Sequence, residues 1–214
     1  IEGWTFAAKR AVYGAVNSML AAGAKIRAIS LSVLMPQDTE EKQLKFLMKE
    51  IDALCTQEDI LLNSGHTAVS PFVSTLILSV TAMGIQKKEE EARAEYTNLD
   101  LVIHDVREGG IFAALWEMAA AKNVGLSVDL KNIPIRQHTI EVCEYFNLNP
   151  YMLRSGGTLL LACVNGARLV EQFQKAGIES AVIGQTTSGN DRLIHYDEEA
   201  RFLEPPKMDE YYKV

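Results

Sequence analysis

Cysteine is scarce in this chain, with three among 214 residues, at Cys55, Cys143 and Cys163. The number is odd, the three lie far apart and none forms a Cys-x-x-Cys pair, which argues against a disulfide framework and a structural zinc site. Buried filler in a reducing, cytoplasmic compartment is the role expected of them. Basic runs are absent as well. Lys and Arg total 21 against 28 Asp and Glu, a net charge of −7, so nucleic acid is not expected as a partner. An anion bound here must be held by local backbone dipoles, because no general positive field exists. The one long uncharged stretch, 67–86, is interrupted by Pro71 and dotted with Ser70, Ser74, Thr75, Ser79 and Thr81. That composition excludes a membrane span and reads instead as a long buried strand ending at Gly84. No signal-peptide pattern is read, and the chain opens on Ile1 and not Met, so a natural start upstream is expected. Internal repeats and low-complexity segments are lacking too.

What is present is a regular alternation of helix and strand patterns. At 48% hydrophobic, the chain can bury one large core or two small ones. Ala8, Ala11, Val12, Ala15, Val16, Met19 and Leu20 form a helical stripe closed by Gly23. A strand over 28–35 follows, stopped by Pro36. Asp38 and Glu41 read as a capping box for a helix with the stripe Leu44, Leu47, Met48, Ile51, Leu54 and Cys55. A short strand at 60–62 leads into Ser64-Gly65-His66-Thr67, which reads as a polar turn or a ligand contact, and the uncharged strand comes next. Residues 87–98, rich in Lys and Glu, read as a linker or exposed helix.

In the second half, a strand over 99–103 feeds His104-Asp105-Val106-Arg107-Glu108-Gly109-Gly110, which runs straight into an apolar helix over 111–122. Two glycines allow a tight turn and close approach of a ligand, and the helix after them aims its free N–H groups and positive dipole end at that point. This is either an anion pocket or an ordinary helix start. His104 and Asp105 are candidates for acid–base work or for orienting a substrate, since a His changes charge near neutral pH. Val124, Leu126, Val128 and Leu130 alternate with polar residues as a half-buried strand. Ile140, Cys143 and Phe146 mark a helix stopped at Asn149-Pro150. Ser155-Gly156-Gly157 introduces a strand over 158–164, a helix spans 167–176, and strands lie near 180–187 and 192–196. His138 and His195 read as surface or packing residues, and Trp116 as a core or interface residue. The alternation predicts an α/β class of α+β sandwich type, with one sheet face covered.

These motifs resemble, in order, those of the aminoimidazole ribonucleotide synthetase (AIR synthase) superfamily. The segments that carry the resemblance are His104–Gly110, Asn149-Pro150-Tyr151, Ser155–Leu161 and Val182-Ile183-Gly184. In the first half they are Asn17–Ala24, Leu34-Met35-Pro36 and Gly65-His66-Thr67. The hydrogenase-maturation-like branch is the nearest. The resemblance implies a two-domain architecture: residues 1–86 as the second half of an ATP-binding domain, 87–98 as linker, and 99–214 as the C-terminal domain. It implies ATP and magnesium as cofactors and phosphoryl activation of a small substrate. It implies a homodimer formed through the N-terminal sheets, to which the strand at 70–83 contributes. On that reading Asn17, Gly65, His66 and Thr67 face the nucleotide. Gly109, Gly110, Ser155, Gly156 and Gly157 face phosphate or substrate. His104 and Asp105 are catalytic, with Asp105 also a metal ligand.

The chain departs from the family's pattern at three places. A glycine-rich segment with an acidic magnesium ligand is expected before residue 1. Asn17-Ser18 stands where relatives read Asn-Asp, and a hydroxyl brings no negative charge to a cation. The segment between Gly84 and the His-Asp motif is short. These departures leave a second expectation open: a catalytically silent homodimeric scaffold that keeps the fold and an anion pocket. No cysteine-bearing tail stands at 209–214.

Overall fold

The computed structural model describes residues 2–86 and 101–214 and divides the chain into two units, Ile1–Tyr96 and Thr97–Val214. The expected linker at 87–98, and the first two residues of the strand expected at 99–103, lie outside the described residues.

In the first unit, helix α1 (Glu2–Ala21) ends where Gly23 adopts φ +75, a conformation that suits a residue without Cβ. The chain then enters β1 (Ala24–Met35) at once. The strand begins four residues before the expected 28. Buried Ala24 and Ile26 already alternate with exposed Lys25 and Arg27, and those two charges hide the pattern. Helix α2 (Glu41–Gln57) is capped two residues later than expected. The Glu40 N–H donates to Gln43 Oε1 at 2.8 Å, while Asp38 sits in the turn after Pro36. Its stripe holds as expected: Leu47, Ile51, Leu54 and Cys55 are buried, and Leu44 and Met48 pack against them.

Two corrections concern the strands that follow. β2 (Leu61–Val69) runs unbroken through Ser64-Gly65-His66-Thr67, so that motif is the middle of a strand and not a turn between two. β3 (Ile77–Gln86) begins well after residue 70, because Pro71 removes a ladder donor and 70–76 form a loop. Nor is it buried on both sides. Ile77 and Ile85 are exposed while Leu78, Val80 and Ala82 pack on the core. The sheet order is β2-β1-β3, with β2 parallel and β3 antiparallel to β1. Both helices lie on the face of Ile29, Leu31 and Val33, forming one core with Val12, Leu47 and Ile51. Truncating a fully buried side chain such as Leu47 or Ile51 to Ala costs about 2–5 kcal/mol, so burial outweighs the cap in holding α2. The opposite face carries Ser30, Ser32, Leu34, Ser64, His66 and Thr81, with no helix of this unit on it among the described residues.

The second unit starts with β4 (Val102–Val106), paired antiparallel with β6 (Thr158–Ala162). Helix α3 (Gly110–Lys122) packs on both and on β5 (Gly125–Asp129). Its Ala113, Ala114 and Ala119 are buried, small enough to let the backbone approach the strands closely. β5 belongs to a mixed sheet of order β7-β5-β8-β9, where β7 is Gly184–Thr187, β8 Arg192–Tyr196 and β9 Glu199–Phe202. The β8–β9 hairpin was not expected; its turn is set by Asp197 at φ +53. Helices α4 (Gln137–Tyr145) and α5 (Gly166–Lys175) fall close to the helices expected around Ile140 and Cys143 and over 167–176. Val106, Leu115, Met118, Leu126, Val128 and Ile194 form the core of this unit. No helix among the described residues is long and apolar enough to cross a membrane.

Candidate functional site

His104 and Asp105 lie inside β4, not at its end, and successive residues of a strand point to opposite faces. They therefore cannot act as one pair on one side of a substrate. His104 shares the face of Val102 and Val106; its Nδ1 lies 2.8 Å from the Asp105 carbonyl oxygen, and its Nε2 lies 3.4 Å from Glu117 of α3. A carbonyl can only accept, so Nδ1 carries a proton. Asp105, on the other face, pairs with Arg107 Nε at 3.3 Å. Arg107 is thus tied to its own strand end.

The Gly-Gly turn holds an anion, and the anion is the protein's own. The Gly109 N–H donates to Asp209 Oδ2 at 2.8 Å, and Asp209 is buried. The Gly110 N–H donates to the Arg107 carbonyl at 3.1 Å. Both backbone donors expected to face a phosphate are therefore engaged internally. Gly110 is glycine for reasons of packing: at φ +64, a Cβ would stand 2.5 Å from the Tyr151 carbonyl oxygen and 2.6 Å from that of Leu153. Asp209 also accepts from the Tyr211 N–H at 2.9 Å, closing an Asx turn.

Around this turn the second-half motifs converge. Arg154 pairs with Glu108, lies 4.0 Å from Asp209 Oδ2, and stacks over the rings of Tyr211 and Tyr212 at 5.2 and 5.3 Å. Tyr151 stacks on Phe112 at 5.2 Å, and burial pushes its phenol up from the ordinary value. Asn149 donates its N–H to Glu210 Oε2 at 3.3 Å. Glu210 is buried, and its carboxyl is held below the usual range first by a hydrogen bond from Lys213. Ser155-Gly156-Gly157 is a turn closed by the Thr158 N–H on the Ser155 carbonyl at 3.1 Å. Gly157 has φ +94, and a Cβ at Gly156 or Gly157 would meet nothing within 4 Å. That backbone is open to approach.

In the first unit, alternation splits the Gly65-His66-Thr67 motif. His66 pairs in register with Ser32 on the helix-free face, whereas Gly65 and Thr67 are level with buried Leu31 and Val33 on the helix face. Gly65 and Thr67 line one groove of about 240 Å³ with Leu31, Met48, Leu62 and Asn63. Gly65 is needed there, since a Cβ would stand 2.6 Å from the Leu31 carbonyl oxygen. Asn17 lies half-buried on α1, which packs against β3, β1 and α2. Ser18 Oγ donates to the Gly14 carbonyl at 3.1 Å, a bond back into its own helix. Among the described residues no three His, Cys, Asp or Glu side chains come together as a metal cage.

Four residues of the described chemistry escape a reading of the sequence: Asp209, Glu210, Arg154 and His195. Asp209 two residues before Tyr211 is an Asx-turn signal, but its pairing with Gly109 is long-range and leaves no local mark. His195, expected as a surface or packing residue, shares a 3.0 Å hydrogen bond with Ser127.

A helix-covered three-stranded sheet, followed by a mixed sheet entered through a strand–Gly-Gly–helix turn, defines a two-part protein of the mixed α/β class. The family model for the AIR synthase related protein N-terminal domain matches residues 1–86, and that for the C-terminal domain matches 79–196. The chain belongs to the AIR synthase related protein family. It is 23% identical to a hydrogenase expression/formation protein of Methanocaldococcus jannaschii, over 86% of this chain and 71% of that one. Its fold is that of the hydrogenase maturation protein HypE of E. coli, with a TM-score of 0.80 at 17% identity over 94% of this chain and 80% of that one. A HypE structure in complex with ATP gives a TM-score of 0.79 at 16% identity, over 94% and 80%.

Proposed function

We propose that this chain binds ATP and phosphoryl-activates a small substrate, in a role like that of the hydrogenase maturation proteins it resembles. The observation that carries the reading is the groove in which Gly65 and Thr67 meet Leu31, Met48, Leu62 and Asn63. Leu31, Met48 and Leu62 offer an apolar wall for a planar base, while the Thr67 hydroxyl and the Asn63 amide supply hydrogen bonds at its edge. Gly65 lets β2 lie close against the Leu31 carbonyl where the two strands line the groove. ATP bound there supplies the γ-phosphoryl group. Magnesium belongs to the proposal as the counter-ion of the polyphosphate, which provides many of the oxygen ligands such a cation needs. The groove's own lining contributes no carboxylate. The ATP-bound structure of a protein with the same fold supports the nucleotide, and family membership supports the reaction class.

His104 and Asp105 enter this reading as positioning residues, bracing α3 through Glu117 and the turn through Arg107. The open backbone at Gly156 and Gly157 is assigned to the small substrate's side. Dimerisation is assigned to the helix-free face of the β2-β1-β3 sheet, where Leu34, His66 and Ile77 lack a covering helix among the first unit's described residues. Calorimetric titration of ATP, with and without magnesium, tests the function. Saturable binding is expected, weakened about five-fold by Thr67→Val through the loss of one neutral hydrogen bond. Absence of binding at millimolar ATP refutes it.

A further inference from the structure

Ser127 Oγ and His195 Nε2 lie 3.0 Å apart on the side of the four-stranded sheet that faces away from the core. Strand alternation explains the placement: Leu126, Val128 and Ile194 turn inward, so Ser127, Asp129 and His195 turn outward. The ladder extends this row across three strands. Gln185 stands opposite Ser127 in the antiparallel β7–β5 pair, and Asp129 is level with His195 in the parallel β5–β8 pair. Asn132, in the turn after β5, and Ile183, just before β7, complete the lining of a recess of about 370 Å³.

The lining selects a ligand by charge and by hydrogen-bonding capacity. It holds one carboxylate, two primary amides, a hydroxyl and an imidazole, and neither Lys nor Arg. The Lys131 ammonium is paired with Asp197 and lies over the Tyr196 ring at 5.3 Å, while the Lys131 backbone N–H donates to Asp129 Oδ1 at 2.9 Å. A phosphate would meet the Asp129 charge, and the Lys131 ammonium close to that carboxylate is already paired with Asp197. A purely aliphatic ligand would strip water from these polar groups without replacing its hydrogen bonds. A neutral ligand with adjacent hydroxyls donates to Asp129 and accepts from the Asn132 and Gln185 amides.

We propose that this recess is a binding site for a neutral polyhydroxylated ligand, recognised through adjacent hydroxyls of a sugar ring. The site is separate from the groove at Gly65 and does not depend on the nucleotide reading. Sugar hydroxyls reach a protein either on a free sugar or on the ribose of a nucleotide, and the test separates the two. The full chain is titrated with D-ribose, ADP and inorganic phosphate in turn, following the ¹H–¹⁵N amide signals of Ser127, Asp129 and Gln185. Saturable shifts with D-ribose are expected, and Gln185→Ala and Asp129→Asn should each weaken binding about five-fold while the remaining signals keep their positions. Shifts of the same signals with ADP but not D-ribose assign the hydroxyls to a nucleotide's ribose. Shifts with phosphate, no shift with any of the three, or affinity indifferent to both substitutions overturns the proposal.

Discussion

Gly109 and Asp209 are separated by 100 residues of sequence and joined by a 2.8 Å hydrogen bond, from the glycine N–H to the buried carboxylate. The bond places a negative group at the start of α3, where helix dipole and free donors favour one. It also anchors the last residues of the chain to the turn, so one contact serves both helix and tail. Asp209→Ala should lower stability by about 1.5–3 kcal/mol, the range for hydrogen bonds to charged groups. Asp209→Asn, which keeps an acceptor, should cost less. Urea unfolding of a Trp4→Phe background, monitored on Trp116 fluorescence, checks this, and an unchanged midpoint in the alanine variant speaks against it.

Two glycines of the same region should respond oppositely to one added methyl group. At Gly110 a Cβ meets the Tyr151 and Leu153 carbonyl oxygens at 2.5 and 2.6 Å, on a backbone of φ +64. Gly110→Ala should cost about 2–4 kcal/mol from overpacking and strain together. At Gly156 nothing stands within 4 Å, so Gly156→Ala should fall within about 0.5 kcal/mol of the parent. Thermal unfolding of the two variants side by side decides it. Equal midpoints would contradict the geometry.

Element types were largely legible in the sequence, and the side a residue faces was less so. The stripe of α2 and the alternation of β5 follow directly from burial, and both appear where the pattern puts them. Gly65-His66-Thr67 misleads because glycine, histidine and threonine together look like a turn. In an edge strand with one exposed face, polar residues are tolerated throughout, and the ladder to β1 overrides local preference. The Gly-Gly turn was legible as a helix start or an anion pocket. Its occupant was not, because Asp209 reaches it through tertiary folding alone. The split of His104 from Asp105 across β4 follows from strand period once the strand's end is moved to Val106.

Acid should loosen the tail through Glu210. Its carboxyl is held below the ordinary value of 4.5 chiefly by the hydrogen bond from Lys213, with burial opposing and the Asn149 N–H adding to the effect. A group whose pKa is lower folded than unfolded adds stability above the unfolded value, and that stability is lost as pH falls through the folded one. Glu210→Gln should therefore destabilise the protein at neutral pH, and the two proteins should converge as pH drops below 4.5. A difference that persists undiminished in acid would contradict this.

The helix-free sheet face yields a prediction about assembly. Ser32 sits at its centre, level with His66 on one side and Ser79 on the other. If two copies pair through this face, Ser32→Glu buries a like charge from each copy at the joint and should convert dimer to monomer without unfolding either. Sedimentation velocity with circular dichroism reads both. A mass unaffected by the substitution removes this face from the interface.

Nucleotide is proposed to enter the groove at Gly65 and Thr67, while the Gly109–Gly110 turn stays held by Asp209. Mapping amide signals on addition of ATP and magnesium tests it most directly. Saturable shifts are expected at Asn63, Gly65 and Thr67, with Gly109 and Gly110 unmoved. Shifts at Gly109 and Gly110 with none at Gly65 and Thr67 would contradict it.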